Sequence, residues 1–383
     1  MNARLSKSLI MLLATALFFM TGCKKDNNPQ DNAFKGLCFT AREAGSTLGI
    51  TPNGTLTADI EYSTDGVNWI PFVAGNTEVA FANVGDVVCL RGENPNGLSQ
   101  DEANYMQFRM TGALAASGSI MSLIDNEGKA DAIPNEYCFS RLFKDCIGLT
   151  EAPELPAVNL TEACYFEMFA GCAGLTKAPN LPAKTLAEHT YMGMFKDCTN
   201  LTTAPEIAAT ELILHCCEEM FANCTKLVKA PALHATTLSE GCYWSMFLGC
   251  SALEEAPELP ATELACNCYG YMFMGCTSLT EAPELPATAL KDYCYCNMFK
   301  GCTNLTEAPE LHGAILTEGC YSSMFEGCSN LNKIKAHFTE WNDEATYYWT
   351  KDVASSGTFL CLEVLPQQFG ESYIPNSWNV ETF

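Results

Sequence analysis

Cysteine is the residue type that first suggests chemistry in this chain. There are 22 in 383 residues, and most fall in pairs eight positions apart around a Met-Phe step, as in CYWSMFLGC (Cys242 to Cys250) and CYSSMFEGC (Cys320 to Cys328). Thiols in this number could cross-link, hold metal or pack. On a helix, eight residues span about 12 Å, well beyond the roughly 7 Å that a disulfide tolerates between Cα atoms. The earlier cysteine of the pair is replaced at Thr190 while Cys198 remains, which a private disulfide in each unit does not explain. Packing as small buried hydrophobes is therefore favoured, with disulfides within or between units as the alternative. Metal is disfavoured because no CxxC spacing recurs and His189, His215, His234 and His312 share no common register. No metal and no cofactor are expected. Cys217, Cys266 and Cys296 lie off the repeating positions and are expected to be partly exposed.

Carboxylates are the second candidate. Glu255, Glu258, Glu281, Glu284, Glu307 and Glu310 recur in pairs. An acid/base pair needs one unusual environment, and repetition argues instead for a solvated face. GxSxG, HExxH, phosphate-loop and EF-hand patterns are absent from the sequence, so the chain is not expected to be an enzyme. The corresponding earlier positions, Lys177, Asn180, Thr203, Lys229 and Ala232, are not acidic. This makes the six glutamates a candidate binding face in the C-terminal half.

The elements that position these residues repeat. Cys146, Cys172, Cys198, Cys224, Cys250, Cys276, Cys302 and Cys328 are each 26 apart, and the phenylalanines from Phe143 to Phe325 and leucines from Leu149 to Leu331 keep the same step. A representative unit is TSLTEAPELPATALKDYCYCNMFKGC, Thr277 to Cys302. LTEAPEL reads as a short extended segment with Leu279, Ala282 and Leu285 facing inward. ALKDYCYCNMF places Leu290, Cys294, Met298 and Phe299 near helical spacing. The expected fold is an α/β repeat solenoid, leucine-rich-repeat-like, with eight 26-residue units over 137–335. One feature opposes a regular ladder: proline recurs in the extended segment from Pro153 to Pro309 and cannot donate a backbone hydrogen bond.

F-x-G-C-x-x-L-T, as in MFKGCTNLT and MFMGCTSLT, resembles the BspA-like leucine-rich repeats of surface lipoproteins from Bacteroides-type anaerobes. The resemblance covers about half the chain. It implies an adhesive or binding role at a cell surface and departs from that pattern in the proline-rich APELPA segment.

Residues 34–115 lack the repeat and alternate like strands. Asp65-Gly66 between IEYST and VNWIPF marks a hairpin. A small β-sandwich of immunoglobulin-like type is expected. Cys38 and Cys89 fall in two of its strands, where they could bridge the sheets or remain buried thiols. Trp69 and Tyr62 read as packing residues before they read as a sugar site. Residues 116–136 read as a linker and N-terminal cap. Residues 336–383 read as a C-terminal cap, with Trp341, Tyr348, Trp349 and Trp378 covering the last apolar face.

The N-terminus reads as processing rather than structure. Arg4 and Lys7, an apolar stretch too short for a comfortable span, and MTGC ending at Cys23 resemble a bacterial lipoprotein signal in residues 1–22. Lipidation at Cys23 is expected, followed by a flexible tether in 23–33. Losing Arg4 and Lys7 would move the formal charge from -24 to -26, which argues against nucleic acid. The expectation is a lipid-anchored cell-envelope protein, outer-membrane and surface-exposed, binding a host or neighbouring-cell protein or glycan. The alternatives are a spacer or scaffold presenting the N-terminal domain, and an accessory glycan-binding protein.

Overall fold

A computed structural model describes residues 34–383. Residues 1–33, on which the expected signal peptide, the expected lipidation at Cys23 and the expected tether fall, lie outside the described residues. Eight strands come first: β1 (Cys38–Ala41), β2 (Thr47–Asn53), β3 (Ile60–Ser63), β4 (Ile70–Pro71), β5 (Glu78–Ala80), β6 (Val87–Gly92), β7 (Tyr105–Thr111) and β8 (Leu114–Ser117). A four-residue helix, α1 (Ser122–Asp125), follows, then β9 (Leu149–Glu151) in the first repeat. β10 (Lys333–Ala336), β11 (Thr358–Cys361) and β12 (Asn379–Thr382) close the chain.

The expected α/β leucine-rich-repeat-like solenoid behind a separate β-sandwich is not what this structure shows. Strand dominates, in small sheets, and α1 is the only helix among the described residues; it lies outside the repeats. The backbone dihedrals explain why. The segment of each unit that suggested a helix holds a residue at positive φ every fourth position, for example Tyr293 (57°), Asn297 (53°) and Gly301 (75°). One left-handed residue per turn prevents helix propagation. The chain instead makes successive β-turns, as where Phe166, Met168, Ala170 and Cys172 each donate to the carbonyl three residues back. A four-residue turn period places Leu290, Cys294 and Met298 four apart, which imitates helical spacing.

Alternate amides in the same segment reach the next unit. Glu167, Phe169 and Gly171 donate to the carbonyls of Met192, Met194 and Lys196, and the pattern recurs at 26-residue steps. The units therefore stack in register. Phe169, Phe195, Phe221, Phe247, Phe273, Phe299 and Phe325 form a column with centroids 5.6–5.8 Å apart and nearly parallel rings.

On the opposite side of each unit the proline-bearing segments meet only through isolated parallel bridges, such as Lys229 to Glu255 and Glu307 to Lys333. Proline removes the donors that a continuous ladder would need.

The N-terminal strands form a six-stranded sheet, β4-β3-β6-β1-β8-β9, and a three-stranded sheet, β5-β2-β7. β9 joins β8 in parallel, so the first repeat is an edge of the N-terminal sheet. Phe39 of β1 and Phe108 of β7 lie 5.3 Å apart, and both rings reach Phe143. One hydrophobic core runs from Leu37 to Trp378.

Cys38 and Cys89 form a disulfide. They are directly opposed neighbours of β1 and β6 in one sheet, so the bond staples adjacent strands and does not bridge the two sheets.

At the C-terminal end the turn pattern continues past Leu331, where the sequence repeat stops. Tyr321, Ser323, Phe325 and Gly327 donate to Ala345, Tyr347, Trp349 and Lys351, and Tyr348 and Asp352 keep the positive-φ positions. Trp349, fully buried, stands next to Phe325 where the column would continue.

Candidate functional site

Each thiol of the second cysteine column points into the stack. The thiols of Cys172, Cys198, Cys224, Cys250, Cys276, Cys302 and Cys328 donate to the phenylalanine carbonyl of the preceding unit at 2.9–3.2 Å. That carbonyl already accepts a turn amide, as Phe221 does from Cys224, and the thiol occupies its remaining lone pair. Cysteine suits the position because it is small, largely apolar and still a weak donor. Burial pushes the Cys250 thiol up to about 12, so it stays protonated near neutral pH and lacks nucleophilic thiolate. Thr190 fills its position in the first column by bonding its own turn: its hydroxyl donates to the Ala187 carbonyl at 2.7 Å and accepts from the Ala187 amide. Cys217 and Cys296, expected to be partly exposed, are both buried, and Cys266 is intermediate. Cys217 takes the place of the buried tyrosines Tyr191 and Tyr243, whereas Cys296 stands at the neighbouring position, which is half-buried in other units at Met192, Glu218 and Trp244.

The six glutamates divide into two environments. Glu255, Glu258, Glu281 and Glu284 border one open groove of about 750 Å³, between Glu254–Pro260 and Thr280–Pro286. Glu258, Glu281 and Glu284 are exposed and make no ion pair among the described residues. Glu255 is held at 2.5 Å by Lys229, on an exposed bridge. Glu307 and Glu310 do not border the groove and are neutralised by lysine, Glu307 by Lys333 at 2.8 Å and Glu310 by Lys335 at 2.7 Å, with His337 Nε2 in contact with Glu310 at 2.5 Å. Hydrogen bonds from Lys335 first and His337 second hold the Glu310 carboxyl down at about 2.

The groove lies where bonding between units lapses. Bridges join Lys229 to Glu255 and Glu307 to Lys333, but none joins Glu255 to Glu281 or Glu281 to Glu307 among the described residues. The same bridge is missing, among the described residues, between Glu151 and Lys177 and between Thr203 and Lys229, so like charge is not what opens the gap. Pro257 and Pro283 withhold donors from the same gap.

Two features escaped the sequence reading. Glu254 also lines the groove. Glu151 and Glu154 hold the matching positions in the first unit, so acid is not confined to the C-terminal half. There they border a second groove of about 450 Å³ together with Lys177 and Asn180. Arg42 of β1's following turn binds Glu151 at 2.7 Å, which makes that groove mixed in charge. Aligning the first unit with the last three would have shown both pairs.

No family model, no curated protein and no solved structure matches this chain.

Proposed function

We propose that this chain is a non-enzymatic cell-envelope lipoprotein, anchored through Cys23, that binds a protein or glycan on another surface through the groove bordered by Glu258, Glu281 and Glu284. The observation that supports this reading is the run of unpaired, exposed carboxylates around an open groove, flanked on both sides by glutamates already neutralised by lysine. A partner presenting basic groups, or a glycan bridged by a cation, would gain charge complementarity there. Many copies on one membrane would convert weak contacts into adhesion. The resemblance of F-x-G-C-x-x-L-T to BspA-like surface proteins points to the same setting.

Beads coated with the full chain and probed against an array of matrix proteins and glycans test this. Binding should fall as salt rises. Glu258→Lys, Glu281→Lys and Glu284→Lys together should abolish it, while Glu307→Gln, outside the groove, should leave it in place. Binding that ignores both salt and the triple change would remove the groove from the function.

A further inference from the structure

The last two units are out of step by one residue. Glu307 bridges to Lys333, 26 positions on, whereas Leu311 bridges to Ala336, 25 positions on. The shorter stretch lacks a counterpart of Pro309: APELH in one unit faces IKAH in the next. The contraction brings His337 level with His312. Backbone bonds fix the register, the Leu311 amide donating to Lys335 at 3.0 Å and the His337 amide to Leu311 at 3.0 Å.

Three ligand-type side chains converge there. The His312 and His337 rings lie 5.2 Å apart. His337 Nε2 is 2.5 Å from Glu310 Oε1. One donor atom from each of Glu310, His312 and His337 lies within 4.8 Å of the others, and all three residues are half-buried. His312 makes no side-chain hydrogen bond among the described residues, although it stands beside two groups that do. A second cluster, Glu162, Glu188 and His189, offers a single imidazole.

We propose that Glu310, His312 and His337 form a binding site for a borderline divalent transition-metal ion, zinc being the closest fit, with one coordination position left open. Two imidazole nitrogens and one carboxylate oxygen are the donor set such ions prefer over magnesium or calcium. Bonds near 2.1 Å at tetrahedral angles need donors roughly 3.4 Å apart, a closure that side-chain rotation supplies on a fixed backbone. The Lys335 ammonium now occupies the Glu310 oxygen at 2.7 Å, so metal uptake is an exchange of one cation for another. The Phe383 ring, 4.8 Å from Lys335 Nζ, offers the displaced ammonium an adjacent place to rest.

The test uses the purified full chain, stripped with a chelator and titrated with Zn²⁺ by calorimetry and with Co²⁺ by visible absorption. One equivalent should bind, with the absorption of a nitrogen- and oxygen-ligated tetrahedral ion. His312→Gln with His337→Gln should weaken binding by more than the roughly 10–100-fold that loss of an outer-shell partner costs. Lys335→Gln, which keeps every ligand, should tighten binding by roughly two- to fivefold by removing the competing cation, and His189→Gln should change nothing. Undiminished Zn²⁺ binding by the folded double variant, or a thiolate-to-cobalt charge-transfer band in the wild type, would overturn the site. Unchanged affinity in Lys335→Gln would overturn the exchange.

Discussion

The middle of the stack and its C-terminal end solve one problem in different ways. From Pro153 to Pro309 the extended segments contain proline, and neighbouring units touch there through single bridges or leave a groove. After Leu331 the prolines leave the segment. Lys333–Ala336, Thr358–Cys361 and Asn379–Thr382 then form a continuous parallel sheet, β10-β11-β12, paired residue by residue. In the middle, cohesion comes from the phenylalanine column, the thiol-to-carbonyl bonds and the amides of the turns. At the end, a backbone ladder is added. Where proline stands decides whether a face is sealed or left accessible.

The largest expected effect lies in the column-bonded middle. Cys250→Arg would put an unpaired charge in a fully buried position, costing about 3–5 kcal/mol; soluble yield and thermal midpoint should collapse. Cys250→Ser keeps a donor toward the Phe221 carbonyl and should cost about 1 kcal/mol. If both variants behave alike, the thiol column does not hold the middle together.

Ile334→Pro should be next. It removes a ladder amide from β10 and should cost more than the roughly 0.5–1.5 kcal/mol of the Ile334→Val control. Urea unfolding of the two variants measures the difference. Equal losses would mean that the ladder adds nothing to side-chain packing.

The smallest effect is electrostatic. Burial pushes the Glu167 carboxyl up, but hydrogen bonds from Lys144 and Arg141 outweigh this and hold it below its ordinary value near 4.5. Its contribution to stability is thus present above that value and declines as pH falls below it. Glu167→Gln should flatten this part of the acid dependence in thermal melts between about pH 5 and 3. An unchanged slope would remove this pair from the forces joining the first two units.

The 26-residue register was legible because identical residues must stack on identical residues. The proline segment also announced itself, since a missing donor is visible in the letters. The turn ribbon was less legible. Its inward positions recur every four residues, and Leu290, Cys294 and Met298 satisfy a helical template equally well. What separates the two is φ at Tyr293, Asn297 and Gly301; tyrosine does not declare that conformation, but the asparagine, aspartate and glycine that recur there were the signal available. The candidate face was half legible: glutamate positions could be counted, but Lys229, Lys333 and Lys335 had to be placed before paired and unpaired carboxylates could be told apart. His337 was invisible to a fixed period because the proline's loss shifts it by one.

The alternating amides of the turn segments all donate forward, each toward the carbonyl of the following unit. Along the turn segments the backbone therefore has a direction, with carbonyls facing the first unit and amides facing the last, whereas the thiols and the amides of Thr202, Glu254 and Asn332 donate the other way. The two ends of the turn segments need opposite partners. At the start, the Cys138 and Leu142 carbonyls take amides from Leu98, Ser99 and Phe108, and the Lys144 carbonyl takes the Gln107 side-chain amide. At the finish, the amides of Tyr348 and Thr350 are met by the Ser372 hydroxyl and the Glu371 carbonyl. A donor-rich β-strand cannot stand in for an acceptor-rich loop, so the two terminal segments are not interchangeable. Growth of the repeat array by duplication can insert units only between them and in one orientation.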